Sequence, residues 1–464
     1  MTRNNYVEEK GGLPLSVMIL THAKIICMDE KWTMVPDGHI VIQDGRIERI
    51  TGDPLDYSAY PGAEIVNMNH KAVLPGFFNA HTHIAMVPFR GIVHDQGNVL
   101  YDIVWPIETA LSDEDCYHFA RLGALEALKA GNTTVADHYF FMDMIAEAIT
   151  SIGIRGVVGE TVMDLGGPFA STDSLEKGLS FWEKWQNRHP LITPVLAPHG
   201  PDTVSPQALR QVVDFCHAND TYYHMHVAQT RHETETIRKR HGLSSVEYLE
   251  QIDVLGERLA AAHCIYTDDH DIQRLYASGS SVLYCPSTHA FTGHVAPAHA
   301  MVNSGINVCL GTDFVAENDD HCMFEEMRLA TMLQKVIRHD PQALATPAVL
   351  AMATCNGPKA YGLQQKQGSL EAGKAADLIA IDLKAPRLTP HYNLLNTIVY
   401  AAGEADVDSV MVNGRFLMRD KKLIGIDEDE IIRSGQAACD RILKKALETR
   451  PALARSIDSY ILDK

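Results

Sequence analysis

The middle of this 464-residue chain alternates helix and strand, and that alternation restricts the fold more than any other feature. Ser112 and Asp115 form a capping box, Leu122, Leu125 and Leu128 keep helical spacing, and Gly131 ends the helix. The strand Asn132-Thr133-Thr134-Val135 follows at once. Further on, Ser205-Pro206 opens a second helix carrying Leu209, Val212, Val213 and Cys216, and the strand around Tyr223–Val227 comes next. Repeated units of this kind predict an α/β fold with a parallel sheet, most economically a (β/α)8 TIM barrel whose site lies at the C-terminal ends of the strands.

The two ends read differently. Residues 17–73 alternate strands and turns without helical periodicity, with Asp37-Gly38 and Asp44-Gly45 supplying turn chemistry around Ile40-Val41-Ile42 and Ile47-Glu48-Arg49-Ile50. The same texture returns at Ala376–Ile381 and at Val410-Met411-Val412-Asn413-Gly414-Arg415. The expectation is a small β-sandwich built from both termini, residues 1–73 and 365–425, around a barrel over 74–364, with a C-terminal helical tail over 426–464.

Several strand-like runs end in metal-binding side chains. Leu74-Pro75-Gly76-Phe77-Phe78-Asn79-Ala80 runs into His81-Thr82-His83, two histidines that a strand would place on one face about 7 Å apart. Downstream stand Tyr223-His224-Met225-His226, Ala262-His263-Cys264 and Leu310-Gly311-Thr312-Asp313. Histidines and an aspartate at the ends of separate strands suit an open, hydrolytic metal site. His226 and His224 compete on one face, and His226 is favoured because it lies nearer the strand's end. Asp313 could both bind a metal and take a proton from its water. His263 could be a further ligand, or a neutral imidazole that orients water or polarises substrate.

Composition narrows the partners. A net charge of −19, from 40 Lys and Arg against 59 Asp and Glu, argues against nucleic acid or an anionic membrane. No apolar run reaches the roughly 18 residues of a membrane span. Leu13–Leu20 follows Glu8, Glu9 and Lys10 and reads as a first strand, not a leader peptide. Nine cysteines, an odd number without Cys-x-x-Cys, predict free thiols and a cytoplasmic protein. Cys264, Cys285 and Cys309 sit in apolar strands and read as core. The expected partner is a small molecule, and the expected assembly a homo-oligomer.

These residues resemble the amidohydrolase superfamily, in the branch holding adenosylhomocysteine and methylthioadenosine deaminases, guanine deaminase and the triazine hydrolases. Pro75-Gly76…His81-Thr82-His83, Trp105-Pro106-Ile107-Glu108, Ala197-Pro198-His199, His226, His263, Gly311-Thr312-Asp313, Phe324-Glu325-Glu326-Met327-Arg328 and Gly373-Lys374-Ala375-Ala376-Asp377-Leu378 fall in family order over nearly the whole chain. The resemblance implies that His81, His83, His226 and Asp313 bind one divalent metal, with His263 and Asp313 activating its water. It also implies that His199 lines the substrate pocket. Binuclear relatives use a modified lysine on the fourth strand, and Thr193–Pro198 has none. One ion is expected, zinc, with Fe2+, Co2+ or Mn2+ fitting the same ligands.

Two departures from the family stand out. Deaminases of this branch carry a glutamate three residues after the strand-five histidine, where this chain has Gln229. A glutamine donates a hydrogen bond but cannot carry the proton that lets an aromatic amidine accept hydroxide; Glu233 or Glu235 would have to replace it. Adenosylhomocysteine deaminases place arginines just beyond the strand over residues 153–160, where this chain has Glu160 and no arginine before Glu176. The expected substrate-binding set is therefore His199, Gln229, Glu160 and Trp105, with Met86, Tyr139, Phe140 and Phe141 as further candidates for an apolar wall. The expected activity is hydrolysis of a non-peptide carbon–nitrogen bond in a largely uncharged amide, urea, carbamate or thiocarbamate, by attack of metal-bound hydroxide. This places the chain near the phenylurea and thiocarbamate herbicide hydrolases, which degrade xenobiotics. Deamination of an aminated heterocycle is the alternative, and dehalogenation a rarer third.

Overall fold

A computed structural model describes residues 17–94, 99–450 and 453. Both ends of the chain feed one nine-stranded sheet. The N-terminal side gives Val17–Ile26, Met34–Gln43, Arg46–Thr51, Glu64–Asn67 and Lys71–Pro75; the C-terminal side gives Leu378–Asp382, Val407–Val412, Arg415–Arg419 and Lys422–Leu423. The two halves join where Lys71–Pro75 pairs antiparallel with Leu378–Asp382. Alternate apolar residues of these strands, among them Ile25, Ile40, Ile42, Val73, Leu378 and Met411, pack into a core of their own. Residues 13–16 of the expected first strand lie outside the described residues.

Turn chemistry decided some of this sheet and lost elsewhere. Asp44-Gly45 and Asn413-Gly414 make tight hairpin turns, both residues of each pair having positive φ. Asp37-Gly38 does not turn: it lies inside Met34–Gln43, where Gly38 pairs with Ala23 at a register shift in the ladder. A Cβ on Gly38 would come within 2.6 Å of Val35 Cγ1, so glycine serves packing there.

Gly76 carries the chain from this sheet into the parallel strands. A Cβ at Gly76 would sit 2.1 Å from Thr133 Cγ2, so only glycine fits. Phe77–Thr82, Asn132–Tyr139 and Arg155–Val162 pair in parallel, and Ile192–Pro194 and Ala197–Pro198 add to the last of them. A second arc holds Tyr223–Val227, Leu259–His263, Ser281–Tyr284 and Val308–Leu310, also parallel. Single parallel bridges, Leu196 to Tyr223 and Thr82 to Asp313, link the arcs at their two seams. The strands thus run in (β/α)8 order, and their C-terminal ends share one rim. Phe78, Ala80, Ala136, Val157, Val195, Ala260, Ala262, Leu283 and Cys309 fill the interior below it.

The helices form where the sequence signals them. Ser112 accepts the Asp115 N–H at the start of Asp113–Lys129, and Ser205 accepts the Ala208 N–H at the start of Pro206–Ala218. Glu428–Thr449 lies against Asp113–Lys129, with Arg441 bound to Asp115 at 2.7 Å. Residues 451, 452 and 454–464 of the expected tail are outside the described residues. Among the described residues no helix is long and apolar enough to cross a membrane.

Candidate active site

The first barrel strand carries His81 and is followed by His83, the fifth carries His226 near its end, the sixth ends in His263, and Asp313 follows the eighth. The ring brings them together. His81 Nε2 and His83 Nε2 each lie 3.3 Å from Asp313 Oδ1, and His226 Nε2 lies 3.4 Å from His83 Nε2. His263 Nε2 lies 3.9 Å from Asp313 Oδ2. The backbone is left-handed at both His263 (φ 75°) and Asp313 (φ 59°), a conformation that costs L-residues energy and clusters at functional sites.

Each histidine of the trio is turned by a bond on its far nitrogen. His83 Nδ1 donates to the His138 carbonyl at 2.6 Å, and His226 Nδ1 donates to the His199 carbonyl at 2.8 Å. His81 Nδ1 donates to His224 Nε2 at 2.7 Å; His224 Nδ1 meets the Tyr361 hydroxyl at 3.2 Å, which donates to the Ala80 carbonyl at 3.0 Å. His224 thus faces away from the cluster and supports His81, while His226 faces in. All three Nε2 lone pairs converge as ligands do.

A cation fits this arrangement. His81 Nε2, His263 Nε2 and both Asp313 oxygens are buried without a hydrogen-bond partner. Native interiors rarely leave four such atoms together unless something absent from the protein satisfies them. Nitrogen and carboxylate donors suit zinc and its first-row neighbours. Burial alone would push the Asp313 carboxyl up, but the imidazoles of His263, His81 and His83 outweigh it and hold it well below the usual carboxylate range. Asp313 is therefore an anion at neutral pH. Removing the support should loosen the site: His224→Leu is expected to weaken metal affinity 10- to 100-fold, measured by competition with a chelator, and Tyr361→Phe to act in the same direction by less.

A cavity opens beside the cluster. Its wall is largely apolar, from Met86, Leu100, Trp105, Phe140, Met163 and Phe314, and His199 and Gln229 line it too. Tyr139 also lines it, whereas Phe141 packs on Phe169 in a neighbouring cleft. Glu160 does not reach the cavity: its carboxylate accepts the N–H groups of Phe141 and Met142, at the start of the helix Met142–Ile152. That helix begins with Phe141 in a left-handed conformation and with no cap from its own residue, so Glu160 serves as the cap.

The cavity also holds groups that sequence reasoning passed over. His138 lines it from the end of the second strand, is 1% exposed, and has no partner for Nδ1. Its place at a strand end was the available signal. Glu108 lines it too and accepts the Tyr139 hydroxyl at 2.6 Å; burial pushes its carboxyl up to about 7 against that bond. Cys285, read as core, is buried but lies beside His81, His263 and Asp313.

Fold and site together define a metal-dependent hydrolase. Residues 72–417 match the model of the Amidohydrolase family, and the chain belongs to that family; it is a hydrolytic enzyme of carbon–nitrogen bonds. Similar proteins include a 5'-deoxyadenosine deaminase of Methanopyrus kandleri, 36% identical over 409 residues that cover 87% of this chain and 95% of the relative. A 5-methylthioadenosine/S-adenosylhomocysteine deaminase of Halothermothrix orenii is 35% identical over 423 residues, covering 90% and 97%. An adenosine deaminase from Xanthomonas campestris, solved with bound zinc, superposes with a TM-score of 0.87 at 28% identity, covering 92% of this chain and 98% of that one.

Proposed function

We propose that this enzyme hydrolyses a carbon–nitrogen bond at the carbonyl carbon of a small, uncharged, largely apolar amide, urea, carbamate or thiocarbamate, with one resident zinc ion held by His81, His83, His226 and Asp313. The observation that carries the reading lies beyond the fifth strand, whose loop gives the cavity a neutral amide, Gln229, and neither of its own glutamates. Glu233 is buried, but its two oxygens accept the N–H groups of Ala228 and Gln229 at 2.8 and 2.7 Å. Glu235 is exposed to solvent. Neither acid lines the cavity, and the carboxylates that do are Asp313 and Glu108, the latter bound by the Tyr139 hydroxyl. Among the described residues no lysine or arginine lines the cavity, which disfavours a carboxylate- or phosphate-bearing substrate.

When bound, a divalent ion lowers the pKa of a water toward 7 and polarises an adjacent oxygen. The protein's own groups do the rest. Asp313, already anionic, accepts the proton that the attacking water gives up. His263, buried and neutral, orients that water or donates to the developing oxyanion, and with Asp313 returns a proton to the departing amine. His199 and Gln229 hydrogen-bond the polar part of the substrate, and the apolar wall excludes bulk water.

A second reading, deamination of an aminated heterocycle, is favoured by the relatives, which are named for that activity. The two separate in one comparison: wild type, Gln229→Glu and Glu233→Gln, each given carbonyl substrates and aminated purines, pyrimidines and triazines. The expected result is wild-type turnover on a carbonyl substrate, little gain or a loss there for Gln229→Glu, and new ammonia release from heterocycles by that variant. The loss follows from placing a carboxylate in a pocket built for a neutral group. Efficient wild-type deamination that disappears in Glu233→Gln would overturn the carbonyl reading.

A further inference from the structure

We propose that the active site contains a second, weaker cation site made by Cys285 Sγ, His263 Nε2 and Asp313 Oδ2, and that excess zinc occupying it stops the reaction. The inference rests on the resident-ion reading of the first cluster and not on the identity of the substrate.

Two groups of ligand atoms are packed closely enough to hold an ion. His81, His83 and His226 form one, and His81, His263, Cys285 and Asp313 form the other; within each group the atoms lie no more than 4.8 Å apart. Asp313 faces both. Its Oδ1 is 3.3 Å from the Nε2 atoms of His81 and His83, while its Oδ2 looks toward His263 Nε2 at 3.9 Å. One oxygen is thus committed to the first cluster, and the other is turned away from it toward the second. His263 Nε2 and Asp313 Oδ2 are buried with no hydrogen-bond partner in the protein, and Oδ1 is the Asp313 oxygen nearer His81 and His83, so both stay open on the Cys285 side.

Strand register explains the meeting. Leu259–His263, Ser281–Tyr284 and Val308–Leu310 are successive neighbours in the parallel sheet. His263 ends the first of them, Cys285 follows the second, and Asp313 follows the third. Three adjacent strands therefore deliver an imidazole, a thiol and a carboxylate to one part of the rim. Zinc bonds of roughly 2.3 Å to sulfur and 2.0–2.2 Å to nitrogen or oxygen put tetrahedral ligands about 3.5 Å apart, so His263 Nε2 and Asp313 Oδ2, at 3.9 Å, need draw together only slightly. A thiolate in the set selects soft ions such as zinc and cadmium over magnesium or calcium.

Binding forms one bond each to sulfur, nitrogen and oxygen and releases the thiol proton to solvent. No electron changes hands. The site has three protein ligands against the first cluster's four, and an ion there sits beside another cation, so it fills second and less tightly. Once filled, it occupies the lone pairs of His263 and Asp313 that proton transfer requires. Inhibition follows from the same contacts that give affinity.

The test is a cadmium titration of the purified holoenzyme, followed by equilibrium dialysis, near-ultraviolet absorption and hydrolysis rate. The expected result is a rise from one to two bound ions, a thiolate-to-cadmium charge-transfer band growing with the second, and loss of activity over the same concentration range. Cys285→Ser and Cys285→Ala should lose the band and bind the second ion at least tenfold more weakly, which separates Cys285 from the part-buried Cys355 and Cys439. A second ion that binds wild type without the band, or binds both variants as tightly as wild type, overturns the proposal. Wild type that takes up no second ion overturns it as well. A protein carrying no ion before titration contradicts the resident-site reading and takes this proposal with it. A resident ion joined by one indifferent to Cys285 defeats this proposal alone.

Discussion

Asp313→Asn is expected to lower kcat by a factor on the order of 10²–10⁴ while changing KM far less. The substitution is narrow. Asparagine is one of the few residues that tolerates the left-handed backbone Asp313 adopts at φ 59°, so the loop after the eighth strand should keep its shape. The amide still offers an oxygen toward His81 and His83, and a resident ion should remain. What disappears is an anionic acceptor for the water's proton, the role that the surrounding imidazoles prepare by holding the carboxyl ionised. Steady-state kinetics with metal content measured on the same sample gives the answer. A variant within about tenfold of wild type would move the proton acceptor elsewhere, with His263 first in line.

His226→Ala should remove most of the metal and, with it, nearly all activity. The substitution deletes one of four protein ligands and leaves the ion open to solvent on that side. His224 lies two residues earlier on the same strand, yet its Nε2 meets His81 Nδ1 and points away from the cluster. The pair therefore makes a sharp contrast under elemental analysis after dialysis: His226→Ala empty, His224→Leu still loaded but more easily stripped by chelator. Retention of the ion by His226→Ala, with loss in the His224 variant, would reverse the two roles.

The convergence of His81, His83, His226, His263 and Asp313 was legible in the chain because each stands at the end of an apolar run, and parallel strands of one barrel put such ends on one rim. Helix starts at Ser112 and Ser205 were legible because capping is a local bargain among four residues. What escaped notice depended on neighbours far apart in the chain. The role of His224 behind His81 depends on Tyr361 and His81, which lie 137 and 143 residues away. Glu160 reads as a pocket residue until the unfilled N-terminus of Met142–Ile152 claims its carboxylate. Asp37-Gly38 carries strong turn chemistry, but the ladder with Val17–Ile26 overrides it. Cys285 looks like core because it is buried; only the register of three strands shows what it is buried beside.

The proposed ligands come from strands one, five and eight, and that spacing has a mechanical meaning. His83 and His226 stand 143 residues apart in the chain, and every described cysteine is free, so no disulfide ties these segments together. An ion gripping both acts as a reversible clasp across the ring, closing a loop of the size for which cross-linking the unfolded chain is worth about 4–5 kcal/mol in the chain-entropy model. With the proposed ion in place, opening one seam would mean first surrendering it. On that assignment chemistry and endurance are vested in the same four side chains, and stripping the metal is expected to lower resistance to unfolding along with turnover.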